Sequence, residues 1–340
     1  MSTETMLFVP LLILIGGLFH IMPGLTRPDL FFAVTVAPEF RRSSAARRIL
    51  GRYRAIVWIA TLIASGMALA AGMAVAAVLL QAIGYLWGLV SANRAVRAYA
   101  AAPSAVLEVD LAAPRERLPG GLIVALLPVL SLAALGLWVG FHWDRLPRRL
   151  PVHWGIDGAD RWLNTTPATV FGFLAVQAFV CLLLAGLAWG LLNWSRRIST
   201  AGEGAAAERH FRRRIVQLSI VCEYFLACPA WFALFQPAAA VMNVWGLALA
   251  TAIIGFTVSL MRGGQGGSHA TVAAGAAPVG DRTPDACWKW GLVYVNAADP
   301  SILVEKRFGI GYTLNFGNRW TWVVLALLLV APAAGLILLR

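Results

Sequence analysis

Long apolar runs separated by short polar segments alternate along almost the whole of this chain. A run of about 20 apolar residues can cross a bilayer, and lipid offers no partner to an unpaired backbone group, so each run should be a helix. The runs predict about eight transmembrane helices, at residues 6–22, 55–71, 73–92, 121–141, 168–192, 215–235, 240–261 and 321–339. The expected fold is an all-α polytopic membrane protein.

Two of these runs decide the number of spans. Residues 6–22 follow a segment without a basic residue and lack a small-residue cleavage site, so we interpret them as a retained span and not as a signal peptide. The run Ala55–Val90 is too long for one helix and just long enough for two. Gly66 and Gly72 offer breaker positions within it, so it is divided into two spans.

The distribution of basic residues orients the predicted helices. Of the 28 Lys and Arg residues, 23 fall in the segments 23–54, 93–120, 193–214 and 262–320. Because cytoplasmic loops are enriched in Lys and Arg, these four segments are predicted to face the cytoplasm. Both termini and the segment 142–167 would then lie outside.

The net charge of +12 follows from this topology. Only 13% of the residues are charged, against about 25% in a soluble domain, and the basic residues lie at span ends. Nucleic-acid binding is therefore not expected. Contacts with anionic lipid headgroups are expected instead, at Arg41, Arg42, Arg47, Arg48, Arg52 and Arg212 to Arg214. The four cysteines have no metal-type spacing, and no metal or cofactor is predicted.

Composition and hydropathy divide the chain into six predicted segments. They are a four-helix membrane region (1–141), a loop plus fifth helix (142–195), the sixth and seventh helices (196–262), a flexible Gly/Ala-rich linker (263–287), a β-type module (288–320) and a last helix (321–340).

The β-type module contains two short runs that favour extended structure. Trp288–Asn296 and Ile302–Arg307 are separated by a turn-like segment, Ala297–Pro300, which predicts a cytoplasmic β-hairpin. The β-rich run Phe31–Val36 could join it as a third strand. The alternative is an irregular interfacial loop with its tryptophans at headgroup depth. The candidate residues of the module are Trp288, Trp290, Lys306, Arg307 and Asn315.

Residues 147–162 form a polar island between two apolar runs. Two prolines stiffen it, and the threonines before Pro167 predict a capped helix start. We therefore expect an ordered outer lid. Its candidate ligand-binding residues are Pro147, Pro151, His153, Trp154, Gly158, Asp160, Arg161 and Trp162.

The chemistry of this island is open to three interpretations. His153, Asp157 and Asp160 have side chains that can bind a metal, but one histidine is few for zinc. In a purely structural loop, Asp160 or Asp157 would pair with Arg161 or Arg149. The third interpretation is direct recognition of a peptide or envelope ligand by the exposed side chains.

The pattern Leu146-Pro147, Pro151-x-His153-Trp154 and Gly158-x-Asp160-Arg161-Trp162 resembles a domain of the Sdp immunity protein family of bacterial membrane proteins. The resemblance covers residues 142–195. It implies a multi-pass protein of the bacterial plasma (inner) membrane. The named member of that family protects a cell from a peptide toxin and sequesters a cytosolic repressor. A peptide ligand outside and a cytosolic protein partner are thus the implied partners.

A second resemblance covers residues 288–317. It rests on Trp288-Lys289, Asn296, Asp299-Pro300, Lys306-Arg307-Phe308-Gly309 and Thr313-Leu314-Asn315-Phe316-Gly317. These residues look like a short C-terminal module of unknown function that accompanies the first domain in larger relatives. This resemblance implies no catalytic residue.

Glu223 is the single acid that falls well inside a predicted span. It lies eight residues after Ile215, about 12 Å along the helix axis, and an acid at that depth is a functional candidate by default. It would be protonated, or bonded to Tyr224, Gln177, Gln81 or water in a cavity. The alternative is a structural acid that bonds a neighbouring helix.

Three function classes remain. The preferred one is a sensor or immunity-type protein that recognises a peptide or envelope ligand at residues 147–162. The second is a proton-coupled transporter or permease that uses Glu223, although no inverted repeat supports it. The third, an intramembrane enzyme, is disfavoured because neither HExxH nor GxSxG is present.

Overall fold

The computed structural model is mostly helical, with eight long helices and four small antiparallel hairpins in the described residues. It describes residues 3–71, 73–102, 116–155, 158–195, 203–269, 281 and 283–338. The helices are α1 (Thr3–Leu25), α2 (Ser44–Ala71), α3 (Ala74–Val96), α4 (Gly121–Phe141), α5 (Pro167–Asn193), α6 (Glu203–Phe235), α7 (Ala239–Gly263) and α8 (Arg319–Leu338).

Seven of these helices, α1 to α7, are long and apolar enough to cross a membrane. The α-helical multi-pass character predicted from hydropathy is therefore confirmed. Helix α4 has the predicted bounds, whereas α2 and α6 begin well before their apolar windows because their first turns are polar and still helical. Helix α8 has 20 residues, and the part of it searched for a span, Arg319–Val330, is apolar.

The strands form separate two-stranded sheets. Their bounds are β1 (Leu30–Phe31), β2 (Val34–Thr35), β3 (Arg149–Gly155), β4 (Gly158–Asn164), β5 (Trp288–Lys289), β6 (Val293–Tyr294), β7 (Leu303–Glu305) and β8 (Tyr312–Leu314). β1 pairs with β2, β3 with β4, β5 with β6, and β7 with β8. The two last hairpins are joined by a parallel bridge between Tyr294 and Asn315.

The chain divides into two compact units. Unit 1 comprises residues 1–111, 196–211 and 261–318, and so contains α1 to α3, the β1–β2 hairpin and the strands β5 to β8. Unit 2 comprises residues 112–195, 212–260 and 319–340, which include α4, α5, α8, most of α6 and α7, and the β3–β4 hairpin.

An aromatic core holds unit 1 together. Phe32, at the tip of the β1–β2 hairpin, is fully buried and lies 4.9 Å from the Tyr53 ring and 5.8 Å from the Phe308 ring, measured between centroids. Tyr53 belongs to α2, and its hydroxyl donates to the Phe19 carbonyl of α1 at 3.0 Å. The hairpin, two helices and the residues after β7 therefore share one core, which also includes Leu89 and Val96 of α3.

The predicted pairing of the β-type module is wrong, although its extended character is confirmed. Trp288–Asn296 does not pair with Ile302–Arg307; it folds on itself as β5–β6, and β7 pairs with β8. Trp290 and Gly291 form the β5–β6 turn with positive φ angles of 54° and 75°. Phe31–Val36 likewise forms its own hairpin, so it is not a third strand of a shared sheet.

The segment predicted as a flexible linker is partly wrong as well. Residues 265–268 form a buried turn, and Asp281 and Thr283 are buried too. The Gln265 side chain closes this turn on the module, because its amide donates to the Gly311 carbonyl at 2.9 Å and its oxygen accepts from the Gly311 N–H at 2.8 Å. Residues 270–280 of the predicted linker, like Gly72 in the predicted breaker, lie outside the described residues.

Candidate functional site

The polar island folds into the β3–β4 hairpin of unit 2. Its strands pair from Arg149 with Asn164 to Gly155 with Gly158, with a bulge around His153. Leu150 is 2% exposed and packs with Leu132, Val139 and Val170, which anchors the base of the hairpin. The predicted ordered structure is therefore present, and its hairpin form was not anticipated.

The chain leaves the hairpin through a capped helix start, as predicted. The Thr166 side chain accepts from the Thr169 N–H at 3.2 Å, and the Thr169 hydroxyl accepts from the Thr166 N–H at 2.9 Å. Pro167 occupies the first turn of α5. The reciprocal cap satisfies backbone donors that the first helical turn would leave unpaired. The Pro147 carbonyl accepts from the Thr165 hydroxyl and closes the base.

His153 and Asp160 form the central polar contact of the hairpin. Their Nδ1 and Oδ1 atoms lie 2.6 Å apart, and each side chain is about half exposed. The hydrogen bond from His153 lowers the pKa of the Asp160 carboxyl below its usual value. The predicted pairing of Asp160 with Arg161 or Arg149 is therefore wrong. Asp157 lies outside the described residues, and the described part of the chain contains no cluster of three or more metal-ligating acid, histidine or cysteine side chains.

A cavity of about 170 Å³ lies between this hairpin and the connection from α6 to α7. Trp154 and Trp162 line it from the hairpin, and Pro151 forms part of its wall. Gln236, Pro237 and Met242 line it from the other side. Gly158, with a φ of 114°, closes the hairpin tip beside it. The cavity can hold an apolar or aromatic group, and the hairpin that lines it also carries the exposed His153–Asp160 pair.

Glu223, on α6 of unit 2, is fully buried. Within the described residues, neither of its carboxyl oxygens has a hydrogen-bond partner, and neither does Oε1 of Gln177 on α5. The Cys181 thiol, one turn after Gln177, donates to the Glu223 backbone carbonyl at 3.6 Å. The two orphaned side chains therefore come from two helices in direct contact.

Two of the expected partners of Glu223 are engaged elsewhere. The Tyr224 hydroxyl donates to the Val124 carbonyl at 2.8 Å. Gln81, in unit 1, donates to the Leu12 carbonyl and contacts the Tyr85 hydroxyl. The prediction that Glu223 is bonded to Tyr224 or Gln81 is therefore wrong. An unpaired buried carboxyl is costly unless it is protonated or hydrated.

Arg307 organises the C-terminal module, defined here as residues 281–318 of unit 1. Its guanidinium donates to Asp281 at 2.6 and 2.9 Å, and it also bonds Asp285 and the carbonyls of Thr283 and Ala33. It lies 5.4 Å from the Trp288 ring. Burial opposes its charge, but the two carboxylates outweigh that effect and raise the pKa of Arg307.

The candidate residues of the module fall into two groups. Trp288, Arg307 and Asn315 are buried and bonded within it; the Asn315 amide donates to the carbonyls of Asn296, Asp299 and Ser301. Trp290 and Lys306 are exposed. The first three residues therefore stabilise the module, and the last two are available to a ligand.

A second ion pair ties the module to the end of α1. The Arg27 guanidinium lies 2.6 Å from Glu305 on β7, and both side chains are buried. Burial opposes the charge of Arg27, but Glu305 more than offsets it and raises the pKa of Arg27. Neither this pair nor Asp281 was a sequence candidate. The segment Asp281-x-Thr283-Pro284-Asp285 has turn and cap chemistry that could have signalled an ordered structure.

Two of the arginines predicted to contact lipid headgroups have partners within the protein. Arg41 donates to the carbonyls of Arg27 and Leu30, and burial lowers its pKa to about 10. Arg212 is 1% exposed and pairs with Glu116 at 3.2 Å. Backbone carbonyls and a carboxylate therefore bind these two guanidinium groups in the described structure. Arg42, Arg47, Arg48, Arg52 and Arg213 are exposed.

Comparison with known proteins gives one match, to part of the C-terminal module and the start of α8. A family of unknown function, DUF5808, matches residues 297–322, which include β7, β8 and the first residues of α8. No curated protein and no solved structure matches the chain. The chain is thus similar to that family over a short segment whose description assigns no activity. The resemblance of residues 142–195 to the Sdp immunity protein family stays a prediction.

Proposed function

We propose that this chain is a multi-pass bacterial inner-membrane protein of the sensor or immunity type, which binds a peptide or envelope ligand at the β3–β4 hairpin. The observation that carries the proposal is the tryptophan-lined cavity of a hairpin that also carries the exposed His153–Asp160 pair. Trp154 and Trp162 offer large apolar surfaces with a polar edge, the type of side chain that dominates recognition sites.

The proposed topology has eight spans, with both termini and the hairpin outside and the C-terminal module in the cytoplasm. The enrichment of Lys and Arg in four alternate segments supports it. Asp144→Cys and Ala298→Cys test it in a Cys287→Ser background, because both positions are exposed. An impermeant maleimide should label Asp144→Cys in intact cells and Ala298→Cys only after permeabilisation. The reverse pattern would invert the topology and remove the proposed ligand site.

Ligand recognition can be tested by protection of a sensitive bacterium. Cells that express the chain should survive the secreted peptide fraction of a producer strain better than cells without it. Trp154→Ala and His153→Ala should remove most of this protection while membrane levels stay normal. Trp87→Ala is the matched control, since Trp87 is 62% exposed on α3 and lies outside the hairpin. Equal protection by all variants would refute recognition at the hairpin.

Glu223 supports a second candidate, a proton-coupled transporter or permease. A buried carboxyl without a hydrogen-bond partner in the described structure can take up and release a proton if water reaches it. Proteoliposomes with an internal pH dye and an imposed membrane potential test this. Proton entry should be faster with the wild-type chain than with Glu223→Gln, which keeps the shape but cannot ionise. Equal rates for both proteins and for empty liposomes would refute it.

A further inference from the structure

A second cavity, of about 440 Å³, lies in unit 1 and is lined by α1, α3 and the C-terminal module. Its volume is within the range of small-molecule sites, roughly 300–1,000 Å³. The wall is mainly apolar and includes Ile15, Phe19, Leu86, Leu89, Leu292 and Ile310. The two polar helix residues in the wall, Gln81 and Tyr85, bond each other. We call this cavity the α1–α3 groove.

The groove has the length of one bilayer leaflet. Its α3 residues extend from Val78 to Leu89, which is about 16 Å at 1.5 Å per residue. This is about half of the 30 Å hydrocarbon thickness of a membrane. The module closes the end near Leu89, because Gly309 approaches Met22 of α1 and Gly291 approaches Asn93 of α3. In the proposed topology, with the module at the cytoplasmic surface, the groove runs from the module toward the middle of the membrane.

The ammonium group of Lys306 lies at the end of this groove that the module forms. Lys306 lines the cavity and is exposed, and among the described residues its ammonium has no hydrogen bond or ion pair. Its surroundings partly bury the ammonium and lower its pKa. Arg307 also lines the groove but is engaged by Asp281 and Asp285. The charge left for a ligand is therefore that of Lys306.

We propose that the α1–α3 groove binds an anionic membrane phospholipid, with one acyl chain along α3 and the acidic headgroup on Lys306. An apolar slot of one-leaflet length accepts an acyl chain, and an unpaired cation at its interfacial end selects an acidic headgroup. The inference does not depend on the hairpin ligand or on Glu223, which belong to unit 2.

The test measures lipids retained by the full chain. The protein is reconstituted in nanodiscs with equal parts of phosphatidylglycerol and phosphatidylcholine, and bound lipids are counted by native mass spectrometry. The wild type should retain phosphatidylglycerol in preference. Lys306→Ala should retain about tenfold less, as expected for the loss of one charge-assisted hydrogen bond. Lys306→Arg should retain most of it.

A second pair of variants tests the acyl chain. Ala82 lines the groove, whereas its neighbour Ile83 is 67% exposed and does not. Ala82→Phe should fill the groove and reduce retention, and Ile83→Phe should leave it unchanged. Lys289→Ala controls for charge, since Lys289 is an exposed lysine of the module outside this groove.

Four outcomes would overturn the site. They are equal retention of the two lipids by the wild type, wild-type retention by Lys306→Ala, equal losses for Lys306→Ala and Lys289→Ala, and equal losses for Ala82→Phe and Ile83→Phe. A fatty acid carried through purification and retained in place of phosphatidylglycerol would overturn the phospholipid assignment.

Discussion

Replacement of Arg307 by methionine should unfold the C-terminal module locally. The Arg307 side chain is completely buried, and it neutralises Asp281 and Asp285, whose side chains are 7% and 32% exposed. Removal of one partner from a buried ion pair leaves an uncompensated charge and typically costs about 3–5 kcal/mol. Both acids keep hydrogen bonds from threonines, but Asp281 is the more buried of the two, so most of the cost should come from Asp281. We expect a value near the lower limit, about 3 kcal/mol.

Hydrogen exchange followed by mass spectrometry measures this effect where it occurs. A loss of about 3 kcal/mol corresponds to roughly a hundredfold faster exchange through local opening, in peptides that cover β5 to β8. Lys289→Met is the control, because the Lys289 ammonium is exposed and its contact in the described structure is a 3.3 Å hydrogen bond to the Ala286 carbonyl. It should change exchange by less than about threefold.

A double variant separates the ion pair from simple loss of packing. If Asp281 carries most of the cost, Arg307→Met with Asp281→Asn should be less destabilised than the sum of the two single variants, by more than about 1 kcal/mol. The proposed role of Arg307 would be refuted if hydrogen exchange in Arg307→Met stayed within threefold of the wild-type rate. It would also be refuted if the effects of the two substitutions were additive in the double variant.

Three further predictions concern stability and titration. Gly84→Ala should lower thermal stability by about 1–3 kcal/mol, since its new Cβ would lie 2.5 Å from Cβ of Ala60, whereas Gly66→Ala, which meets open space, should not destabilise α2. Thr166→Ala should cost about 0.5–2 kcal/mol through loss of the α5 cap, and a wild-type melting temperature would contradict it. By NMR, Asp160 should titrate with a pKa below the ordinary aspartate value of 3.8, and His153→Ala should raise that pKa. Because the folded-state pKa of Asp160 is lowered, its contribution to hairpin order is present above pH 3.8 and lost as the pH falls through the folded-state pKa; hairpin exchange that is independent of pH in that range would contradict this.

The features that the sequence predicted correctly depend on neighbours along the chain. Helix α4 has the predicted bounds, because an apolar run of this length leaves the backbone no other way to satisfy its hydrogen bonds. The α5 cap depends on Thr166, Pro167 and Thr169, which are close in sequence. The extended character of Trp288–Asn296 also follows from local residue preference.

The features that the sequence did not reveal depend on residues far apart in the chain. The register of β5 to β8 could not be deduced, because short strands gain stability from what they pack on, and here that includes Phe32 and Asn93. His153 and not an arginine pairs with Asp160 because the β3–β4 register and its bulge bring their side chains together. Composition suggested a linker around Asp281, but a single buried arginine, Arg307, makes this segment part of the folded module.

Contacts between residues far apart in the chain also decide which charged side chains have partners within the protein and which do not. Hydropathy places Arg41 and Arg212 among other basic residues at span ends, where headgroup contact is the simplest expectation. The tertiary structure offers Arg41 a set of backbone carbonyls and offers Arg212 the Glu116 carboxylate. Lys306 is next to Arg307 in the chain, yet in the described structure its ammonium is left without such a partner. Sequence therefore determined which segments can enter a membrane, and tertiary packing decided which charges remain free to bind.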